Sequence, residues 1–191
     1  MHAHLFKSSD YHAMPWRNGG GLTTQLAIEP ENATLESGFH WRLSMADVRM
    51  DGPFSAFPDY ERTILLLKGK GIDLDFNGHG RKRLATPLDP FHFPGEWHAT
   101  GELLDGPCRD FNVITHKGFT QQVTVLRPEP RSVVPAAPTS LLFCVQGKAC
   151  VTPAGKVLNQ HDLLRLEGAG VLEVTAEAPD TVIIAIAIGP E

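Results

Sequence analysis

The sequence has few cysteines, no long apolar run and no excess of basic residues, and each shortage removes a class of function. Three cysteines in 191 residues, Cys108, Cys144 and Cys150, form neither a CxxC pair nor an even disulfide framework. Cys144 and Cys150 sit among apolar neighbours, which suits small buried thiols, and a reducing cytoplasm is the expected compartment. The longest uninterrupted aliphatic run, Val182 to Ile188, is seven residues against the roughly 20 that a spanning helix needs. Residues 1–10 lack a basic stretch followed by an apolar one, so no signal peptide is expected. Lysine and arginine number 17 against 22 acidic residues, a net charge of −5. The densest basic cluster, Arg81-Lys82-Arg83, follows a turn signal, as a solvated hairpin edge would. Neither nucleic acid nor a membrane is an expected partner.

Eighteen glycines and fifteen prolines are scattered through the chain, with short apolar or alternating runs between them. That is the pattern of many short strands. In Phe39-His40-Trp41-Arg42-Leu43-Ser44-Met45 the odd positions are apolar and the even ones polar, so a strand sends the two sets to opposite faces. Ile72 to Phe76 alternates too and runs into Asn77-Gly78, a tight-turn signal. Arg62 to Leu67 and Thr181 to Ile188 suit strands covered on both faces. No stretch carries convincing helical period with caps; Asn159 to Leu166 is the nearest and is short. The expected fold class is all-β.

Arg127-Pro128-Glu129-Pro130-Arg131, followed by Pro135 and Pro138, reads as an extended connector. It gives an N-terminal barrel over 1–126, a connector over 127–138 and a C-terminal unit over 139–191. Asp89 to Gly95 and Asp162 to Gly168 share spacing and apolar content, and each follows an apolar strand that ends at a glycine (Gly69, Gly147). An internal duplication accounts for this, and it implies two small barrels with protected sheet edges.

The residues able to carry chemistry are mainly arginines. Arg17-Asn18-Gly19-Gly20-Gly21 is either an anion nest of backbone N–H groups beside a fixed cation or a plain turn. The face bearing His40, Arg42 and Ser44 points to solvent or into a barrel lumen. Within a lumen Arg42 calls for a carboxylate, from a ligand or from Asp47 or Asp59. Arg62 is either a ligand cation or the partner of Asp59 or Asp110, and Asp110 and Asn112 share a strand face from which either can orient an arginine. Ser55 offers a donor, Trp41 and Phe54 an apolar wall. Metal options are thin: His2 and His4 on one side of a strand, or His92 and His98 with Glu96 or Glu102. No nucleophile elbow or Cys–His pair is present, and His98 with Glu96 is the acid–base alternative.

The layout resembles the cupin barrel. At the family's metal positions, counted from Gly52, this sequence has Pro58, Tyr60 and Ile64 or Leu65, none a good ligand; His98 in Pro94-Gly95-Glu96-Trp97-His98 is the one family ligand left. More narrowly, Pro15-Trp16-Arg17-Asn18-Gly19-Gly20-Gly21-Leu22-Thr23-Thr24, Trp41 to Val48, Asp51 to Arg62, Phe93 to Glu96 and Gly106 to Val113 resemble the blocks of the HutD/Ves family. The resemblance runs from about Phe6 to Val125. It implies a bicupin fold, no metal or other cofactor, and a regulatory link to histidine utilisation through a formylglutamate-like small carboxylate metabolite. The expected ligand-binding set is Arg17, Asn18, Trp41, Arg42, Ser44, Ser55, Arg62 and His98. Whether the protein is an enzyme of the cupin isomerase or epimerase type stays open, and its sheet edges leave room for a homodimer.

Overall fold

In the computed structural model, which describes every residue except Ala136 and Ala169, strands dominate. Among the described residues the only helix is a single 3-10 turn, Ser8–Asp10. No helix is long and apolar enough to cross a membrane. The first strands are β1 His2–Phe6, β2 His12–Pro15, β3 Gly21–Glu29, β4 Trp41–Val48 and β5 Gly52–Phe54. Next come β6 Tyr60–Lys68, β7 Ile72–Asp75, β8 Arg81–Leu84, β9 Phe91–Pro94, β10 Ala99–Leu103 and β11 Cys108–His116. Then follow β12 Phe119–Leu126, β13 Arg131–Val134, β14 Thr139–Gln146 and β15 Lys148–Thr152. The last are β16 Lys156–Asn159, β17 Leu163–Glu167, β18 Leu172–Ala176 and β19 Val182–Pro190.

The chain forms two compact units, a central one over His12–Lys117 and a terminal one made of Met1–Tyr11 with Gly118–Glu191. This division differs from the sequence boundary at 126/127. Backbone pairing is the reason: β1 pairs antiparallel with β17, and β12 pairs along its whole length with β19. The proline-rich connector also contains structure, since β13 pairs with β18 as an edge strand. An edge needs its N–H groups on one side only, so prolines beside it are tolerated.

Each unit is two facing sheets. The central unit has a six-stranded sheet, β2-β3-β4-β11-β6-β9, and a four-stranded one, β5-β10-β7-β8. The terminal unit has β1-β17-β14-β19-β12 and β13-β18-β15-β16. Adding eight to the strand numbers of β4-β11-β6-β9 gives β12-β19-β14-β17, and β5-β10-β7-β8 becomes β13-β18-β15-β16. The duplication expected from the sequence rhythm is therefore present strand for strand. The two matched segments, Asp89 to Gly95 and Asp162 to Gly168, contain the equivalent strands β9 and β17.

The strands follow from alternation. On β4, Arg42, Ser44, Ala46 and Val48 share one face and Trp41, Leu43 and Met45 the other, and nearly all are buried. Ala46 and Val48 pack with Ile64, Leu66, Ile72, Leu74 and Phe76 in the core between the two sheets of the central unit. Strand β7, predicted from its alternation before Asn77-Gly78, pairs with β8 across that turn. Asn159 to Leu166, the nearest helix candidate, is instead the end of β16, a short turn and most of β17.

Gly71, before β7, has φ +110°, and a Cβ built there lies 2.0 Å from the carbonyl oxygen of Leu84. Both the left-handed conformation and the contact demand glycine. Gly71→Ala is expected to lower stability by about 2 kcal/mol or more, measured by urea denaturation, with the adjacent turn position Gly78→Ala, where nothing lies within 4 Å, costing less.

Candidate functional site

One end of the central unit opens into a cavity of about 490 Å3. Its walls come from β4, β6 and β11 of the larger sheet, from the β2–β3 turn, and from β5 with the residues after it. Six of the eight residues expected to bind ligand line it: Arg17, Asn18, Arg42, Ser44, Ser55 and Arg62. Arg42 and Arg62 are 4% and 6% exposed, so two guanidiniums project into the lumen from within the protein.

Arg62 is held firmly. Its Nε and Nη2 donate to Asn112 Oδ1 at 2.9 and 2.5 Å, and Nη1 reaches the Ser55 carbonyl oxygen at 3.4 Å. Asn112 Nδ2 in turn donates to Asp110 Oδ1. The guanidinium carbon lies 5.6, 5.9 and 5.5 Å from the ring centres of Phe54, Phe57 and Phe93, near enough for cation–π attraction. Arg42 has one partner: its Nε donates to Gln25 Oε1 at 2.8 Å. Its two terminal nitrogens have no partner among the described residues, and neither has the Ser44 hydroxyl on the same face.

Burial pushes both guanidiniums down to about 10, and Arg62 adds like-charge repulsion on Arg42. Both still carry a full charge at neutral pH. The opposing charge is Asp110, which is 0% exposed. Desolvation pushes its carboxyl up to about 7, against the pull of Arg62 and the Asn112 hydrogen bond. Asp110 Oδ2 has no hydrogen-bond partner among the described residues. With Asp110 ionised the buried set carries one excess positive charge, and with it protonated, two.

The glycine segment is not an anion nest. Gly20 N–H donates to Asn18 Oδ1 at 3.0 Å and Gly19 N–H to the Trp16 carbonyl at 3.0 Å, so these two donors are consumed inside the β2–β3 turn. Asn18 stabilises that turn, and Arg17 stands exposed at the rim. Trp16 forms wall, its Nε1–H donating to Thr23 Oγ1 at 2.8 Å and its ring edge-on to Phe54 at 6.2 Å.

Two expected residues lie elsewhere. Trp41 is 2% exposed and on the opposite face of β4 from Arg42, because adjacent strand residues alternate. His98 is exposed and does not line the cavity. Its intended acid–base partner Glu96 pairs with Lys117 at 2.7 Å. His92 is engaged by Glu61 at 3.1 Å and by Thr63, and Glu102 by Arg81. Cys150 is only partly buried, whereas Cys108 and Cys144 are buried. The basic cluster at 81–83 is offset by Asp75, Asp73, Asp89 and Glu102.

Sequence reasoning missed Gln25, Phe57 and the apolar rim formed by Met14 and Leu35. Gln25 was legible as a polar residue on a half-buried strand; no local pattern pointed to Leu35, in the loop between β3 and β4.

The cupin barrel type implies a metal inside the barrel. The donors here are two guanidiniums, a hydroxyl and an amide, which repel or ignore a cation. Among the described residues no three His, Cys, Asp or Glu converge as a metal site. The residues present do not fit a metal.

The terminal unit shows what duplication without this site looks like. Gly69 and Gly147 both turn at positive φ, +100° and +79°, after β6 and β14. Counting back equally from them, Arg62 corresponds to Ser140. Pairing across to β11 and β19 places Asn112 opposite in role to Ala185, and Asp110 to Ile183. Ala185 and Ile183 belong to a buried apolar cluster.

Comparison with known proteins agrees with this architecture. An uncharacterised 21.2 kDa protein from the hutC 3′ region of Pseudomonas putida is 36% identical over 168 residues, 86% of each chain. Protein Ves of Escherichia fergusonii is 39% identical over 110 residues, 56% of each. A HutD structure from Pseudomonas fluorescens SBW25, determined in a formate condition, matches with TM-score 0.84 and 32% identity over the full length of both chains. The Escherichia coli protein YhhW matches in fold alone, with TM-score 0.67 and 10% identity over 100% of this chain and 99% of that one. The fold is the two-barrel cupin type, and a relation to histidine utilisation is supported by the relative beside hutC and by the family match. That match, to HutD, covers residues 8–184, and the chain belongs to the HutD family.

Proposed function

We propose that the cavity binds a small carboxylate metabolite of the formylglutamate type, without a metal, in a regulatory or buffering role linked to histidine utilisation in the cytoplasm. The observation that carries this reading is the pair of buried guanidiniums, Arg42 and Arg62, against one buried carboxylate. A desolvated excess cation is costly unless a counter-charge joins it. A carboxylate supplies that charge and accepts two parallel hydrogen bonds from a guanidinium. Arg42 has its terminal nitrogens free for this, with the Ser44 hydroxyl beside them.

At the deep end the two guanidiniums dominate: Asn112 has its oxygen on Arg62 and an N–H on Asp110, and among the described residues no carboxylate lines the cavity to offset an ammonium group. An acid whose amine is acylated or absent suits the cavity better than a free amino acid, while Phe54, Phe57 and the Met14–Leu35 rim suit an apolar stem. The relative solved in a formate condition is consistent with a cavity of this kind. The enzymatic alternative gains nothing from the geometry, since Glu96 and His98 lie outside the cavity.

The test is a thermal-shift panel of N-formylglutamate, other small mono- and dicarboxylates, and free glutamate and histidine. At a hundredfold excess over Kd, a ligand stabilises the folded state by about 2.7 kcal/mol, or roughly 5 °C or more in Tm for a chain of this size. The acylated acid is expected to give this rise and the free amino acids little. No rise with any acid overturns the reading.

A further inference from the structure

Asp110 is built in a way that carboxylate recognition alone does not require. It does not line the cavity and is fully buried. It touches the site only through Asn112, whose oxygen accepts from Arg62 and whose N–H donates to Asp110 Oδ1. The second carboxylate oxygen, Oδ2, faces no partner. A fully ionised buried carboxylate is ordinarily hydrogen-bonded at both oxygens, and a protonated one tolerates a bare oxygen more easily.

We infer that Asp110 is the resident counter-charge of the cavity, and that an entering anion displaces it electrostatically so that binding is coupled to uptake of a proton on the Asp110 carboxylate. The inference rests on the anion-binding reading. With the cavity empty, Asp110 balances Arg62 across the Asn112 amide. A bound carboxylate approaches the same guanidinium from the lumen side, and two negative groups then share one cation in a low dielectric. Like charges disfavour each other's ionised forms, so one proton passes from solvent to Asp110, leaving the guest ionised between the arginines. Linkage makes the effect reciprocal: protonated Asp110 binds anions more tightly.

The neighbours leave few rivals for this proton. On β4, Asp47 faces Arg109 in a two-pronged pair at 2.7 and 2.9 Å, and Arg42 stays charged. On β6, Arg62 stays charged, and the register neighbours of Asp110 are Leu66 there and Ala46 on β4. On β11 itself, burial together with Asp110 and Asp47 pushes the Cys108 thiol up to about 12, so it remains protonated. No histidine lines the cavity, and His92 on β9 is engaged by Glu61 and Thr63. With its carboxyl near 7, Asp110 titrates in the neutral range.

The experiment is calorimetric titration of the full chain with N-formyl-L-glutamate at pH 7, in HEPES, MOPS and imidazole, whose ionisation enthalpies differ. The expected result is net proton uptake on binding, with affinity falling roughly threefold to tenfold between pH 6 and pH 8, the span that a shift of up to about one pKa unit gives. Asp110→Asn is expected to bind with no proton uptake and a flat pH profile. Wild-type binding that is pH-independent and takes up no proton overturns the inference while leaving anion binding intact; so does D110N that retains wild-type uptake. Absence of binding at every pH overturns the underlying reading instead. Should D110N fail to fold, infrared difference spectra of the wild type with 13C-carboxyl guest serve in its place. A protonated-carboxyl band from the protein on binding supports the inference, and its absence overturns it.

Discussion

Arg42→Met is expected to raise the melting temperature of the ligand-free protein and to weaken the proposed anion binding. The two effects share one cause. In the empty cavity Arg42 is a desolvated cation repelled by Arg62, with Gln25 its single side-chain partner. Methionine keeps an unbranched apolar stem next to Ile114 on the paired strand and removes the charge. Gln25 is only half-buried and can take water in exchange. Replacement of poorly compensated buried charge by an apolar isostere is neutral to stabilising by about 1–4 kcal/mol. With anion present, the loss of a charge-assisted, two-pronged contact costs about 1.5–3 kcal/mol, or roughly 10- to 150-fold in Kd. Denaturation with and without N-formylglutamate measures both. A variant that is less stable when empty, or that keeps wild-type affinity, contradicts the assignment of Arg42 as the ligand's cation.

Arg62→Met differs in sign, because Arg62 has a buried partner to abandon. Asp110 loses its compensating charge, so this variant loses stability as well as binding. The contrast separates a cation present for a guest from one that is also part of the protein's internal network.

Trp41→Ala is expected to be the most destabilising change considered, by about 3–5 kcal/mol, yet to leave the anion response of the surviving folded protein intact. Trp41 is almost wholly buried and its ring lies on the β4 face away from the lumen. The loss comes from removed apolar area and the void left behind. Trp41→Phe, which keeps part of the volume, is expected to cost less. Urea denaturation gives the stability, and thermal shift with N-formylglutamate gives the response. A Trp41 variant that stays stable but loses the response returns Trp41 to the ligand wall.

Much of this was legible beforehand because strand alternation and turn chemistry are local. Arg42 and Ser44 had to share a face opposite Trp41 and Leu43 whatever the fold. The possibility that Asn112 orients Arg62 was visible as two polar residues on one strand face. Alternation by itself does not say which face of β4 meets a ligand, so Trp41 as apolar wall and Arg42 as cation stay open together until the fold turns Arg42 into the lumen. His98 was retained because it survived at a cupin ligand position, and its exposure depends on where β9 ends and β10 begins. The glycine triplet left a nest and a plain turn equally open because glycine permits many backbone directions, and hydrogen bonds to Asn18 and Trp16 chose the turn.

By itself the sequence determined the β class, the duplication, the loss of every cupin metal-ligand position except His98, and the family, because these depend on composition, period and motif order. Only the tertiary structure decided that Arg42 and Arg62, on different strands, enter one lumen, and that Asp110 is linked to Arg62 through Asn112. Those relations arise from antiparallel register between β4, β11 and β6, which joins residues far apart in the chain. In the terminal unit the positions of Arg62, Asn112 and Asp110 are taken by Ser140, Ala185 and Ile183, so that a lumen with two buried guanidiniums belongs to one repeat and an apolar core to the other.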